Sequence, residues 1–141
     1  MVLDMTTCHE FAKTAARWDR FWRGEHPEPL IGSVLPRAGV AQVAKPSTYA
    51  LGPELDPAAF ADQAVRWAET HEFLGASIPF VYLEFAADQF STFLGMDLTF
   101  ISADQGGWPI HLYEDCPLED IHIEFQPSGK WWDLIAGLAA A

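Results

Sequence analysis

The first third of the chain places an amphipathic segment before a short apolar run. Over residues 7–23, apolar side chains recur at spacings of four, three and four residues, on Phe11, Ala15, Trp18 and Trp22. That spacing predicts a helix with one apolar face. Gly24, Pro27 and Pro29 indicate that the helix ends in a turn. The apolar run at residues 30–35, followed by Pro36, predicts a buried strand.

The middle of the chain predicts an irregular connection and a second helix. Prolines and glycines over residues 36–56 favour loop structure, with a short strand near residues 47–51. Asp56-Pro57 is typical of a helix start, because Asp56 can accept hydrogen bonds from free N–H groups and proline lacks the N–H that would be unpaired there. We expect this helix to end at Gly75, with Trp67 and a packed, hydrogen-bonded His71 on its apolar face.

The remaining segments continue the alternation of strands and helices. We predict a strand at 78–85, a short helix at 88–94, a strand at 98–101 and a short strand at 122–125. Ser128 is positioned to cap a last helix from Lys130, and residues 106–109 are expected to form a loop. The order predicts an α/β fold in which parallel strands are joined by helical crossovers.

Charge limits the partners of the chain. The 141 residues carry a net charge of −12, made of +1 over residues 1–45 and −13 over the rest. Such an acidic surface repels nucleic acid and anionic membranes, so we expect neither as a partner. The basic side chains of the first helix fit either a solvated face or a phosphate contact.

The sequence contains no strong signal for metal binding, disulfides or export. His111, Cys116 and His122 are spaced five and six residues apart, wider than the close pairs of zinc sites, so we expect no metal there. Cys8 and Cys116 are interpreted as reduced thiols, although a bridge between them stays open. No apolar run is long enough to cross a bilayer and the N-terminus lacks a signal-peptide pattern, so we expect a cytoplasmic protein.

Residues 70–109 resemble a known superfamily. The run HEFLGASIPFVYLEFAADQFSTFLGMDLTF, the later Trp108-Pro109, the paired Trp131-Trp132 and the opening ARWDRFWRGE are similar to the uroporphyrinogen decarboxylase-like superfamily. The resemblance implies the N-terminal portion of a (β/α)8 TIM-like barrel that continues about 200 residues beyond Ala141. Residues 1–141 alone would then be an inactive fragment with an open strand edge, which favours self-association into a homo-oligomer.

The resemblance also implies an activity. Members of this superfamily are decarboxylases that need no cofactor, or methyltransferases that bind zinc and work with a corrinoid protein. In the decarboxylase an Arg-Gln-Ala-Gly-Arg segment holds the substrate carboxylates, whereas this chain has Pro36-Arg37-Ala38-Gly39-Val40. Because both arginine positions differ, we expect a smaller acid than a porphyrinogen, or a corrinoid-linked methyl group.

In such a barrel the working residues follow the strands. We expect Arg37 and Trp108 to bind substrate and Glu84 and Asp88 to be catalytic. Arg37 can grip a carboxylate with its planar fork, or it is a surface loop arginine. Glu84 can act as an acid or base, or it points outward. Asp88 also fits the N-cap of the next helix.

A binding module is the alternative from another class. The chain has six tryptophans, and aromatic platforms bind sugars and flat ligands. Trp18, Trp22 and Trp67, however, fall on helical stripes, which favours the core. The alternative is therefore a non-catalytic ligand-binding or interaction module.

Overall fold

The computed structural model describes residues 11–50, 54–100 and 106–141. Their helices and strands follow one another along the chain as α1 (Phe11–Trp22), β1 (Gly32–Pro36), α2 (Pro57–Glu69), β2 (His71–Gly75), α3 (Gln89–Thr92), β3 (Asp97–Phe100), β4 (Gly107–Ile110) and α4 (Lys130–Ala140). Short 3-10 turns lie at Thr48–Ala50 and Leu118–Asp120. The chain divides into two compact units. The first holds the described residues up to Pro46 with Asp62–Val81, and the second holds Ser47–Ala61 with Tyr82–Ala141.

The prediction of parallel barrel strands is wrong. β1 pairs with β2 in antiparallel register, from Gly32 opposite Gly75 to Pro36 opposite His71. β3 pairs with β4, also antiparallel. The described residues therefore form a small α/β fold with two two-stranded antiparallel sheets, and not the opening strands of a (β/α)8 barrel.

In the first unit, the antiparallel pairing arises because α2 ends at Glu69 and does not continue through Leu74, as the sequence had predicted. The Thr70 hydroxyl donates to the Trp67 carbonyl at 3.0 Å, and its backbone N–H turns back to Arg66 and Trp67. From His71 onward the burial alternates with a period of two, typical of a strand with one covered face. The residues predicted as the last turn of the helix therefore supply the partner strand of β1.

Gly75 ends β2 in a conformation that other residues rarely adopt. Its φ is +66°, and an added Cβ would lie 2.4 Å from the Ile31 carbonyl oxygen. That carbonyl accepts a hydrogen bond from the Ala76 N–H at 2.9 Å. Glycine thus allows the close approach that closes the β1–β2 ribbon.

Residues 78–85 do not form the predicted strand. At residues 83–85, backbone groups form hydrogen bonds with a side chain and with one other segment, and not with a neighbouring strand. The Phe85 N–H donates to Oε1 of Gln89 at 3.0 Å, and Nε2 of Gln89 donates to the Leu83 carbonyl at 3.1 Å. The Gly107 N–H donates to the Phe85 carbonyl at 2.8 Å. Phe85 is fully buried, whereas Phe80 and Tyr82 are exposed, so the apolar composition of this segment does not indicate strand pairing.

The segment predicted as a loop around Trp108 is β4. Its Pro109 stands opposite Leu98, which a two-stranded sheet tolerates because both strands are edges. Gly107 stands opposite Phe100, and an added Cβ would lie 2.8 Å from Leu98 and 3.0 Å from the Phe100 ring. Glycine therefore gives the two β3 side chains their space.

The predicted starts of α2 and α4 are confirmed, whereas two short predicted strands are wrong. α2 begins at Pro57, and Oδ1 of Asp56 accepts the Ala58 N–H at 3.0 Å. α4 begins at Lys130, although Gly129 and not Ser128 is its N-cap. Residues 122–125 are irregular, and the 47–51 segment contains a 3-10 turn instead of a strand. The predicted residues 7–10, 51 and 101 lie outside those described.

The largest buried cluster belongs to the second unit. Phe85 is fully buried and packs on Trp131 of α4 with ring centroids 4.8 Å apart, while Ala86 and Leu98 complete the cluster. In the first unit Trp67 is buried as expected and Phe73 meets it edge-on at 5.4 Å. Trp22 departs from the core prediction, because it is 75% exposed.

Within the described parts of the chain, none of the helices has the length and apolar character required to cross a membrane.

Candidate functional site

Arg37 follows β1 directly and is fixed by the beginning of β2. Its backbone N–H donates to the Thr70 carbonyl at 2.9 Å, and its side-chain Nε donates to the His71 carbonyl at 3.1 Å. The side chain is exposed and forms no ion pair with the residues that the structure describes. The guanidinium is therefore held at Nε while its two terminal amino groups stay available for an anion.

His71 helps to fix the position of the Arg37 side chain. Its Nδ1 lies 2.9 Å from the Trp67 carbonyl and 3.1 Å from the Thr70 hydroxyl, and its ring packs against Trp67. An Nδ1–H that donates to the Trp67 carbonyl fixes the ring. The backbone carbonyl of the same residue then receives Arg37, so the position of the guanidinium is linked to buried Trp67.

Glu84 lies in the second unit beside Tyr49. The backbone carbonyl of Glu84 accepts a hydrogen bond from the Thr48 hydroxyl, and its exposed carboxylate is close enough to Tyr49 for its negative charge to act on the hydroxyl. Burial raises the pKa of Tyr49, and the negative charge of Glu84 and the hydrogen bond to it raise this pKa further. Tyr49 is thus held as a neutral hydroxyl next to a carboxylate. Tyr49 could not be predicted from the sequence, because it lies in the proline-rich connection with no motif around it.

Asp88 and Trp108 are both exposed residues of the second unit. Asp88 occupies the N-cap position of α3 without a side-chain capping bond, and its carbonyl accepts from the Ser91 N–H and hydroxyl. Trp108 lies on β4 opposite Thr99 of β3 and is 53% exposed. The bond from Gly107 to Phe85 holds β4 beside the segment that carries Glu84. Glu84, Asp88 and Trp108 therefore belong to one unit, whereas Arg37 belongs to the other.

A charged cluster that the sequence did not predict joins β3 to α4. Asp97 accepts hydrogen bonds from Nζ of Lys130 at 2.7 Å, the Trp131 indole N–H at 3.1 Å and the Leu98 N–H at 2.8 Å. These bonds, led by the one from Lys130, hold the pKa of the Asp97 carboxyl below its usual range. The cluster borders a cleft of roughly 210 Å³ that also includes Gln126. Its bonds are all internal, which indicates a structural tie.

No group of three or more His, Cys, Asp or Glu side chains in the described ranges is arranged to hold a metal ion. The His122 carbonyl accepts a hydrogen bond from the Tyr113 hydroxyl, and Sγ of Cys116, a free thiol, lies 3.6 Å from the Pro117 carbonyl. The cysteine at position 8 lies outside the described residues. The Cys116 thiol and the His122 backbone therefore make local contacts.

Comparisons with protein-family models, with curated proteins and with solved structures found no match to this chain.

Proposed function

We propose that the chain contributes to an enzyme similar to the uroporphyrinogen decarboxylase-like superfamily, in which Arg37 contacts the carboxylate of a small acid substrate. The observation that supports the proposal is the fixed position of the Arg37 side chain. Its Nε is fixed by the His71 carbonyl, and no carboxylate of the described residues pairs with the guanidinium. In a chain of net charge −12, an exposed arginine without an acidic partner marks a place where an anion is tolerated.

The geometry suits a planar carboxylate. Two terminal amino groups of a guanidinium form parallel hydrogen bonds to both oxygens of one carboxylate, which fixes its orientation. One guanidinium holds one such group. The substitution of the flanking positions by Pro36 and Val40 therefore supports a substrate with fewer carboxylates than a porphyrinogen.

A decarboxylation in this proposal also requires a proton donor. Breaking the bond to the carboxylate leaves an electron pair on carbon, which must receive a proton. Glu84 and Asp88 of the second unit stay the catalytic candidates, and no step that joins them to Arg37 is derived. Trp108 of the same unit stays a candidate for substrate binding.

Methyl transfer is the other activity of the superfamily, and it calls for zinc ligands and a corrinoid protein. The described residues offer no set of zinc ligands. No step through a metal or a corrinoid is therefore derived from these side chains.

The test is a titration of the full chain with succinate at low ionic strength, in which binding is monitored by NMR. A hydrogen bond to a charged group contributes roughly 1.5–3 kcal/mol, so Arg37→Ala should weaken binding roughly 10- to 150-fold. Arg37→Lys should recover part of the affinity, because lysine keeps the charge but loses the fork. Thermal stability should barely change, since the side chain is exposed.

The matched control is Arg23→Ala, which removes an equally exposed arginine that is paired with Asp19 at 3.1 Å. It should bind succinate as the unchanged chain does. Equal binding by Arg37→Ala and the unchanged chain would overturn the carboxylate contact. A large loss of thermal stability in Arg37→Ala would show that its role is structural instead.

A further inference from the structure

A second cleft, of roughly 370 Å³, lies in the first unit at the opposite end of β1 from Arg37. The large side chains of its lining are apolar and belong to Trp18, Leu30, Ile78 and Phe80. Gly32 of β1 also lines it and lies four residues, roughly 13 Å along the strand, before Pro36, the residue that precedes Arg37. The volume falls at the lower end of ordinary small-molecule sites.

Trp18 is a wall that is already in position. Its indole N–H donates to the Ala76 carbonyl at 2.9 Å, and Trp22 stacks beside it with centroids 6.2 Å apart and planes at 25°. Because the polar edge of the indole is satisfied, a ligand meets its carbon surface. A fixed aromatic wall lowers the entropy that binding must overcome.

Phe80 is the aromatic wall that solvent also reaches. The Lys45 ammonium lies 4.3 Å from its ring centroid and 5.0 Å from that of Trp67. The ammonium thereby holds the Phe80 ring near the buried side chain of Trp67. Phe80 is nevertheless 47% exposed, which leaves ring surface that a ligand would cover.

Ser77 supplies the polar side chain of the lining. Its backbone N–H donates to the Leu74 carbonyl at 3.2 Å, while its hydroxyl makes no hydrogen bond to the residues that the structure describes. Opposite it, a Cβ at position 32 would lie 2.3 Å from Oγ of Ser77, so glycine there leaves the hydroxyl its space. The lining contains no ionisable side chain.

From these features we propose that the cleft binds a neutral, planar aromatic molecule that carries one hydrogen-bonding group. The ring contacts Trp18 and Phe80, and the polar group meets the Ser77 hydroxyl. A charged ligand is disfavoured, because it would lose water without meeting a charged side chain of the lining itself. The site is separate from the carboxylate contact at Arg37 and does not depend on it.

The first experiment compares 2-naphthol, naphthalene and 2-naphthoate in NMR titrations of the full chain. We expect saturable one-to-one binding of 2-naphthol, roughly three- to tenfold tighter than naphthalene, because one neutral hydrogen bond is gained. Naphthoate should bind more weakly than 2-naphthol. Ser77→Ala should abolish the preference for 2-naphthol while naphthalene binding is retained. Absence of saturable binding, or tighter binding of naphthoate, would overturn the proposal.

The second experiment locates the site with variants. Phe80→Ala should weaken both neutral ligands, and Ile78→Trp should fill the cleft and block them. Phe90→Ala removes a phenylalanine that is 72% exposed and outside the cleft, so it should bind as the unchanged chain does. Arg37→Ala should also leave 2-naphthol binding unchanged. If Ile78→Trp and Phe80→Ala both bind 2-naphthol normally, the ligand is elsewhere and the assignment is wrong.

Discussion

The β1–β2 and β3–β4 ribbons differ in what covers them. In β3–β4, Leu98 is buried and Phe100 packs against Trp131 of α4 with centroids 5.9 Å apart. In β1–β2, every residue of β1 is exposed, and Phe73 of β2 packs on Trp67 of α2. The second ribbon is thus stabilised by apolar burial, whereas the first depends more on main-chain bonds and on the backbone geometry of its ends. Both proposed binding contacts of the first unit lie at the ends of this less covered ribbon.

The largest expected effect comes from a matched pair of leucines. Leu98→Ala in β3 removes a buried side chain and should lower the free energy of unfolding by about 2–5 kcal/mol. Leu35→Ala in β1 removes one that is 48% exposed and should cost about 1 kcal/mol or less. Urea unfolding, followed by tryptophan fluorescence and by circular dichroism, measures both. Equal losses would remove the distinction between the two ribbons.

A smaller effect tests the backbone geometry of the first ribbon. Gly75→Ala places a side chain on a residue with left-handed backbone, and its Cβ would lie 2.4 Å from the Ile31 carbonyl oxygen. The substitution should therefore lower the free energy of unfolding by at least about 2 kcal/mol. Gly39→Ala is the control, because its φ of +74° is similar but its added Cβ has open space. That variant should cost about 1–2 kcal/mol. Thermal unfolding compares the two, and a Gly75→Ala loss no greater than that of Gly39→Ala would argue against the close approach.

The smallest effect concerns the ion pair of the second ribbon. Because the folded pKa of Asp97 is lowered, its stabilising contribution is complete above the pKa of an unfolded aspartate, about 3.9, and is lost as the pH falls through the folded value. Asp97→Asn should cost about 1 kcal/mol or less at pH 7, since the side chain is 47% exposed.

The difference between Asp97→Asn and the unchanged chain should shrink as the pH is lowered toward about 2. Urea midpoints across that pH range provide the measurement. Asp62→Asn breaks an exposed pair within α2 and serves as the comparison. A difference that stays constant with pH would show that charge plays no part in the Asp97 contacts.

The sequence predicted helices more reliably than strand partners. The starts of α2 and α4 follow from local signals, the Asp56 cap and the apolar pattern after Lys130, and local signals act on neighbouring residues. Strand pairing depends on residues distant in sequence. The apolar content of residues 78–85 fitted a strand equally well, yet their backbone bonds go to Gln89 and Gly107.

The contacts of the candidate residues could not be predicted from the sequence. Arg37 was found because it follows an apolar strand, and the structure adds the His71 carbonyl that holds it. Tyr49 and Lys130 could not be assigned from sequence, because their partners Glu84 and Asp97 lie 35 and 33 residues away. No spacing rule connects such residues before the chain is folded.

The two hydrogen bonds between the Gln89 side chain and the backbone around Phe85 have a consequence for hydrogen exchange. The amide proton of Phe85 is protected by a side chain of α3, a helix of four residues, and not by a strand. A single opening of that short helix exposes the amide to solvent, without separation of β3 from β4. Its exchange rate therefore reports local opening of α3, even though the Phe85 ring beside it is fully buried.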